Sequence, residues 1–439
     1  MSRKFALSCL TVAAAMMLAG GRARADEPAA KKAKPKVEVV FCLDTTGSMG
    51  GLIEAAKQKI WAISNQIASG QPTPQLKIGL VAFRDRGDTY VTKVTDLTDD
   101  LDAVHAQVMS FQAQGGGDEP ESVNKALHDA VTCIKWSKDK STLKLIFLVG
   151  DAPPHMDYDE VKYPEICKLA VKKNIIINSV QCGSSLETQK YWKDICQKAE
   201  GSYVQIDANG GPVVVIKTPF DTALADINAQ MAKSTLVYGG ATEQLKAREK
   251  AMSWAVPSGA FPYGPGPAYP APLAYPPPPG YEGYPVPTAS AAPAPGSGLT
   301  SPSSRIMFAP VYVSSSVAAD RACFNAATGC VASYDLLDSI KAGKVKLENL
   351  KKDELPRELQ GLSLTQQKDY LEKLAKSRAE IMKKAADLSK QRNEFIAKKQ
   401  AEDASNRGRD SFDNQVLRIL QRQAGRNRID YPDAEKEKK

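Results

Sequence analysis

Residues 39–55 read VVFCLDTTGSMGGLIEA, and the reading of this stretch decides the fold. Val39 to Leu43 are five consecutive apolar residues, the pattern of a strand buried on both faces. Such a strand belongs to a parallel sheet covered by helices, not to an antiparallel sheet with one wet face. The run stops at Asp44. Asp44, Thr46 and Ser48 then place three oxygen-bearing side chains at alternate positions, just before a helix-like segment. Hard oxygens suit magnesium, calcium or manganese, and magnesium gives up its waters reluctantly, so further oxygens are expected from other loops. The competing reading is structural, with Ser48 or Asp44 capping the following helix.

Outward from this stretch, strand-like and helix-like patterns alternate over residues 37–236. KVEVVFCL, LKIGLVAF, LKLIFLVG, NIIINSVQC and SYVQI read as strands. GLIEAAKQKIWAISNQIA, DLDAVHAQVMSF, PESVNKALHDAVTCI, VKYPEICKLAVKK, ETQKYWKDICQKA and DTALADINAQMAK read as helices between and after them. The pattern predicts a doubly wound, Rossmann-like α/β domain with a mainly parallel sheet. In that architecture ligands bind outside the carboxyl ends of the strands, where strand order reverses. Asp44 and Asp151 each stand at such an end, and GGGDEPE (115–121) and GDAPPH (150–155) offer neighbouring loops.

The flanks have different chemistry. Arg3 and Lys4 precede an apolar stretch from Phe5 to Leu18 and an A-x-A site at Ala23–Ala25. This predicts a cleaved signal peptide over 1–25, a linker over 26–36, and an exported protein of the periplasm, cell surface or exterior. The apolar run is too short to span a bilayer, and no later segment approaches the length of a membrane span. Residues 237–304 are read as a Pro/Tyr/Gly-rich linker, since 15 of the 28 prolines fall within 257–302. Such a composition forms an extended spacer or a docking segment rather than a core. Residues 305–439 are read as a helical, charge-rich region. Ser363 and Gln366 form a capping box opening a long helix. Along it Leu374, Ile381, Leu388 and Phe395 make one apolar stripe, whereas Leu371, Arg378, Ala385 and Arg392 make a second, broken by arginines. That helix is expected to pack on a partner or on its own chain rather than form a strong coiled coil. From AEDASNRGRD onward the chain is polar enough to be largely disordered.

Export permits disulfides, and seven cysteines remain after removal of Cys9. Cys42 reads as a small core residue. Cys323 and Cys330 flank FNAATG, a loop that a bridge would close. Cys167, Cys182 and Cys196 have no pairing legible from sequence. The absence of any C-x-x-C removes the usual zinc and thioredoxin-like patterns. A net charge of +8, spread along the chain and without a nucleic-acid-reading motif, argues against nucleic-acid binding.

DTTGSM after a hydrophobic strand resembles the D-x-[ST]-x-S signature of the von Willebrand factor type A domain family, with FRD (83–85), GGGDEPE and LVGDAPP following in the order of that family. The resemblance covers residues 37–236. It implies a metal-ion-dependent adhesion site, with Asp44, Thr46 and Ser48 as first-loop ligands and Asp151 acting through water. The metal would be Mg2+ (or Ca2+/Mn2+), the protein would not be an enzyme, and the partner would be a protein whose acidic side chain completes the metal sphere. Asp118 stands where adhesive members supply a threonine. A carboxylate there would tighten cation binding and weaken the metal's attraction for a partner's carboxylate. Asp85, Glu119 and His155 lie beside these loops as supporting residues.

A second resemblance points elsewhere. DTTGS is similar to the DKTGT of haloacid dehalogenase-like phosphoryl-transfer enzymes, which would make Asp44 a nucleophile and Asp151 with Asp157 a magnesium pair. Lesser signals have ordinary readings. Arg86-Gly87-Asp88 reads as a turn, His105 and His128 as helical packing or surface residues, and Ser48 lacks the glycines of a nucleophile elbow.

Overall fold

The computed structural model describes residues 34–117, 119–208, 215–255, 313–402 and 412–431. The expected signal peptide, most of the proline-rich segment and Asp118 lie outside these residues. At the centre is a six-stranded sheet of β1 (Lys36–Asp44), β2 (Gln75–Phe83), β3 (Thr92–Thr98), β4 (Leu143–Gly150), β5 (Ile176–Cys182) and β6 (Tyr203–Ile206), in the order β3-β2-β1-β4-β5-β6. All pairings are parallel except β2 with β3. Val39 pairs with Ile78 of β2 and with Leu145 of β4, so β1 is central and hydrogen-bonded on both sides.

The period of two divides each central strand between two cores. Val39, Phe41 and Leu43 face α1 (Gly50–Ala68) and α2 (Leu101–Met109), joined by Leu145, Phe147 and Val149 of β4. Val40 and Cys42, with Ile146 and Leu148, face α3 (Val123–Thr132), α4 (Tyr163–Lys172) and α5 (Leu186–Lys198). This double burial is why β1 and β4 read as unbroken apolar runs. The strand the sequence reading passes over is β3. It is an edge strand, half-buried at best, and TKVTDLT carries threonines, Lys93 and Asp96 where core strands carry aliphatics.

Strand order reverses between β1 and β4. A ligand-binding crevice is therefore expected above their carboxyl ends, at Asp44 and Asp151.

Helices cover the rest. α6 (Asp221–Lys233) packs with α8 (Ser315–Thr328) and with α10 (Leu364–Glu402) through Leu224, Ile227, Met231, Ala319, Ala322 and Ala385. Ser363 and Gln366 form the expected capping box, the Ser363 amide donating to Gln366 Oε1 at 2.9 Å. The arginine-broken stripe of α10 is the one turned inward. Leu371, Arg378, Ala385 and Arg392 are all buried, whereas Leu374, Ile381 and Leu388 are only partly so. Arg378 is held by Asp335 at 2.7 Å on both guanidinium nitrogens. Arg392 is held by Asp221 at 2.8 Å and Asp320 at 2.7 Å. Planar bidentate pairing lets arginine occupy a seam that would otherwise be apolar. The helix thus packs on its own chain.

Three further expectations are corrected. The segment assigned to the start of the linker forms α7 (Ala241–Trp254), because ATEQLKAREKAMSW is rich in helix formers and Trp254 packs edge-on against Trp61 at 5.7 Å. The polar tail contains α11 (Phe412–Ala424), whose Phe412, Val416, Ile419, Leu420 and Ala424 recur at helical spacing and are buried against the β1–α1 core. Its Gln423 exchanges two hydrogen bonds with buried Asn178 of β5, at 2.7 and 3.1 Å. The seven described cysteines are free. Cys323 is buried in α8, and Cys330 is half-buried just beyond the C-terminal end of α8, ahead of α9 (Leu336–Lys341).

Candidate metal centre

Asp44 is the last residue of β1 and is buried. Its Oδ1 accepts from the Thr46 amide at 2.9 Å and from Thr46 Oγ1 at 2.7 Å, and Thr46 Oγ1 lies 3.2 Å from Ser48 Oγ. The alternating oxygens of the first loop therefore converge. Ser48 sits in a short 3-10 turn, Gly47–Met49, that leads into α1 and makes no side-chain cap. The competing capping role for Ser48 is thus not the one adopted.

Thr45, between the candidate ligands, is the anchor of the loop. Its amide and hydroxyl both donate to Phe83 O at 2.9 Å, and its hydroxyl pairs with Tyr90 Oη at 2.7 Å. Arg84 ties two loops together, donating to Thr45 O at 3.1 Å and to Gln112 O at 2.8 Å while stacking over Tyr90. The glycine loop closes against the first, Gly47 N donating to Gly115 O at 3.0 Å. Gly115 has φ +78°, and a Cβ there would fall 2.1 Å from Asp88 Oδ1. Only glycine fits.

The third loop lies against the first. A Cβ on Gly150 would come within 2.9 Å of Asp44 Cβ, so the strand end must be bare for the Asp44 carboxylate to sit there. Asp151 follows directly and is half-buried, its carbonyl accepting from Thr188 Oγ1 at 2.9 Å.

Asp85 and His155 meet beside the centre. Asp85 accepts from Ser122 Oγ and from Tyr158 Oη, both at 2.7 Å. His155 Nε2 lies 3.3 Å from Asp85 Oδ2 without hydrogen-bond alignment, and the His155 ring stacks on Tyr158. Arg86-Gly87-Asp88 is a turn: Arg86 stacks on Tyr158, and Asp88 accepts from Gly116 N at 3.2 Å. His105 is buried beside Trp61 and Trp254. Glu119 is exposed. Two residues on, Glu121 turns inward and is 3% exposed, a residue the sequence reading quoted within GGGDEPE without assigning it a role. Its amide donates to Pro153 O at 3.0 Å and its carbonyl accepts from His155 N at 3.2 Å, joining the second loop to the third.

The electrostatics show what the centre lacks. Burial pushes the Asp44 carboxyl up to about 7, with Asp151 adding to the effect while the Thr46 hydrogen bonds and Arg84 oppose it. Burial pushes Glu121 up to about 9, reinforced by Asp44, Asp85, Asp88 and Asp151. Among the described residues no group of three or more His, Cys, Asp and Glu is gathered closely enough to hold a metal ion by itself, so a cation here would depend on Asp44 together with the Thr46 and Ser48 hydroxyls and water.

A pH dependence follows. Both groups hold protons in the folded chain that the unfolded chain releases near the ordinary values of 3.8 and 4.5. Stability without cation is therefore expected to fall as pH rises, from the unfolded values up to about 7 for Asp44 and about 9 for Glu121. The slope is about 1.4 kcal/mol per pH unit for each group in its window. Urea unfolding in EDTA at acidic and alkaline pH measures it, and a higher midpoint at alkaline pH would contradict it.

Comparison with known proteins places the class. Residues 38–218 match the family model described as von Willebrand factor A domain, and the chain carries that domain there. The von Willebrand factor A domain-containing protein 7 of Rattus norvegicus is 37% identical over 120 residues, 27% of this chain and 12% of that protein. A putative ariadne-like RING finger protein of Acanthamoeba polyphaga mimivirus is 21% identical over 223 residues, 46% of this chain and 22% of its own. The chain thus spans a minor part of the length of these curated relatives. Among solved structures, proximal thread matrix protein 1 from the mussel byssus, with a zinc-occupied MIDAS motif, aligns with a TM-score of 0.32 at 14% identity, covering 40% of this chain and 43% of that one. The phosphoryl-transfer alternative is not supported. The domain match spans both Asp44 and Asp151, and the Asp157 side chain is 72% exposed and bonded to His155 Nδ1.

Proposed function

We propose that this domain binds a divalent cation, Mg2+ or in its place Ca2+ or Mn2+, and that the loaded face mediates protein–protein recognition without catalysis. The observation that carries the reading is the convergence of Asp44, Thr46 and Ser48 at the β1–β4 switch point, beside Asp151 and with too little positive charge for the carboxylates present. Asp44, Thr46 and Ser48 would hold the cation, with Asp151 in support and Asp118 a further candidate. The cation supplies positive charge that orders three loops. Thr45, Arg84 and Gly115 fix the backbone on which those ligands stand. The expected setting is outside the cytoplasm after removal of residues 1–25, with an adhesive or partner-binding role. None of the helices among the described residues is long and apolar enough to cross a membrane.

Affinity capture with the full chain in magnesium and in EDTA tests the function. The reading predicts partners that are retained with magnesium and lost with EDTA. Identical captured sets would overturn it.

A further inference from the structure

We infer that the amino-terminal ends of β4, β5 and β6 form a binding site for a small phosphate-bearing anion, at the end of the sheet opposite the candidate metal centre. The inference does not depend on cation binding at that centre.

A cavity of about 570 Å³ opens there, within the range of small-molecule sites. It lies between the loop leading into β4, the turns that follow α4 and α5, and the 3-10 turn Gly425–Asn427 beyond α11. Lys140, Lys144, Arg426 and Arg428 line it against one carboxylate, Glu200. Leu143, Ile175 and Ile176 give it an aliphatic floor, all three buried.

The wall that carries the arginines is tied down on both sides. Asn427 Nδ2 donates to Ser141 O at 2.6 Å. Gln71 and Asp430 exchange backbone hydrogen bonds at 2.8 and 2.9 Å, and Tyr431 Oη donates to Ile67 O at 3.1 Å. Arg426 and Arg428 therefore stand on an anchored strap.

The positive charge is under-compensated. Lys144 is 5% exposed, yet among the described residues its ammonium makes one long hydrogen bond, to Lys173 O at 3.4 Å, where it could donate three. Burial lowers the Lys144 pKa, with Glu38 and then Asp139 opposing. Those carboxylates are engaged elsewhere: Glu38 accepts from the Ser137 amide, and Asp139 from Lys36 and Ser141. The side chains of Lys140, Arg426 and Arg428 form no ion pair or hydrogen bond among the described residues.

The backbone marks the same place. Asn174, Glu200 and Arg428 are the non-glycine residues with positive φ among the described residues, at +58°, +57° and +59°, and all three line this cavity. Glycine is the usual residue in this conformation beyond a helix end. Asparagine tolerates it, whereas arginine and glutamate are held there at a cost, and such outliers gather at ligand sites.

The charge balance selects an anion. Arginine forks match phosphate oxygens bidentately, and lysines add point charge. Four cations and this volume suit a diphosphate or a phosphate ester better than a monovalent ion. A nucleic-acid strand would call for a long groove with aromatic platforms, and no aromatic ring is among the described lining residues.

The test is calorimetric titration of the full chain with pyrophosphate at constant ionic strength. EDTA is present, so that no cation at Asp44 can hold the anion. Wild type is expected to bind saturably, and Arg426→Gln combined with Arg428→Asn to bind about ten-fold or more weakly. Asparagine at 428 accepts the positive φ, so the strap is expected to keep its fold and its unfolding temperature without anion. Should that variant be less stable, Lys140→Gln on the facing loop carries the test, with a loss of about three-fold or more expected. Lys383→Gln with Lys384→Gln removes the same net charge from exposed positions on α10 and is expected to bind as wild type does. Absence of saturable binding in the wild type, or equal losses in the two double variants, would overturn the inference.

Discussion

Replacing Asp335 by alanine is expected to lower the unfolding free energy by about 3–5 kcal/mol, the cost of removing one partner from a buried ion pair. Asp335 is fully buried and Arg378 is 1% exposed. The carboxylate accepts from Arg378 on both oxygens, from the Leu236 amide at 2.7 Å and from the Asp338 amide at 2.9 Å. Arg378 also donates to Ser234 Oγ and Ser234 O. One side-chain cluster therefore ties the end of α6, the start of α9 and the middle of α10. Alanine at 335 strands a guanidinium and two amides, with Asp338, 3.8 Å away, a weak substitute. Arg378→Met should cost less, because Asp335 keeps its two amide donors. Urea unfolding of the two variants checks the order. A loss under about 1 kcal/mol for Asp335→Ala would show that this cluster does not hold α6, α9 and α10 together, and equal losses would contradict the order.

Asp44→Asn carries the other large effect, and its sign depends on the cation. Without metal at alkaline pH, the wild type keeps a buried carboxylate ionised whose pKa has been pushed up to about 7. Asparagine has nearly the same shape, keeps an acceptor for Thr46 and bears no charge. The stripped variant is expected to be more stable than wild type by about 1 kcal/mol or more at pH 8. With magnesium the wild type gains on the variant. Ligand bound only to the folded state stabilises the wild type by about 2.7 kcal/mol when present at 100 times its dissociation constant, and the variant gains nothing. Thermal unfolding of both proteins, with magnesium and with EDTA, measures how far magnesium closes the gap. A variant less stable than wild type under both conditions would mean that Asp44 is structural.

How much of this was legible in the sequence follows from what each residue touches. β1 and β4 are buried on both faces, so their apolar runs announced a doubly wound sheet. The first loop was legible because Asp44, Thr46 and Ser48 are close along the chain, and local spacing fixes their convergence. Glu121 was not, because its burial depends on contacts with Pro153 and His155, more than 30 residues away. Glu119 was the residue given a supporting role, and only the fold turns it outward and Glu121 inward. α11 was hidden because its apolar stripe is narrow and set among Asp, Asn, Gln and Arg, and the surface it covers exists only once α1 and β5 are in place. Arg378 and Arg392 read as interruptions of a seam because their partners Asp335, Asp320 and Asp221 come from helices distant in sequence. Charge pairing across long separations is what a one-dimensional pattern does not carry.

Magnesium titration of the EDTA-stripped wild-type chain, followed by calorimetry and repeated with Asp44→Ala, tests the central claim most directly. The account predicts one saturable site per chain in the wild type and none in the variant. Absence of binding in the wild type, or equal binding by Asp44→Ala, would contradict it.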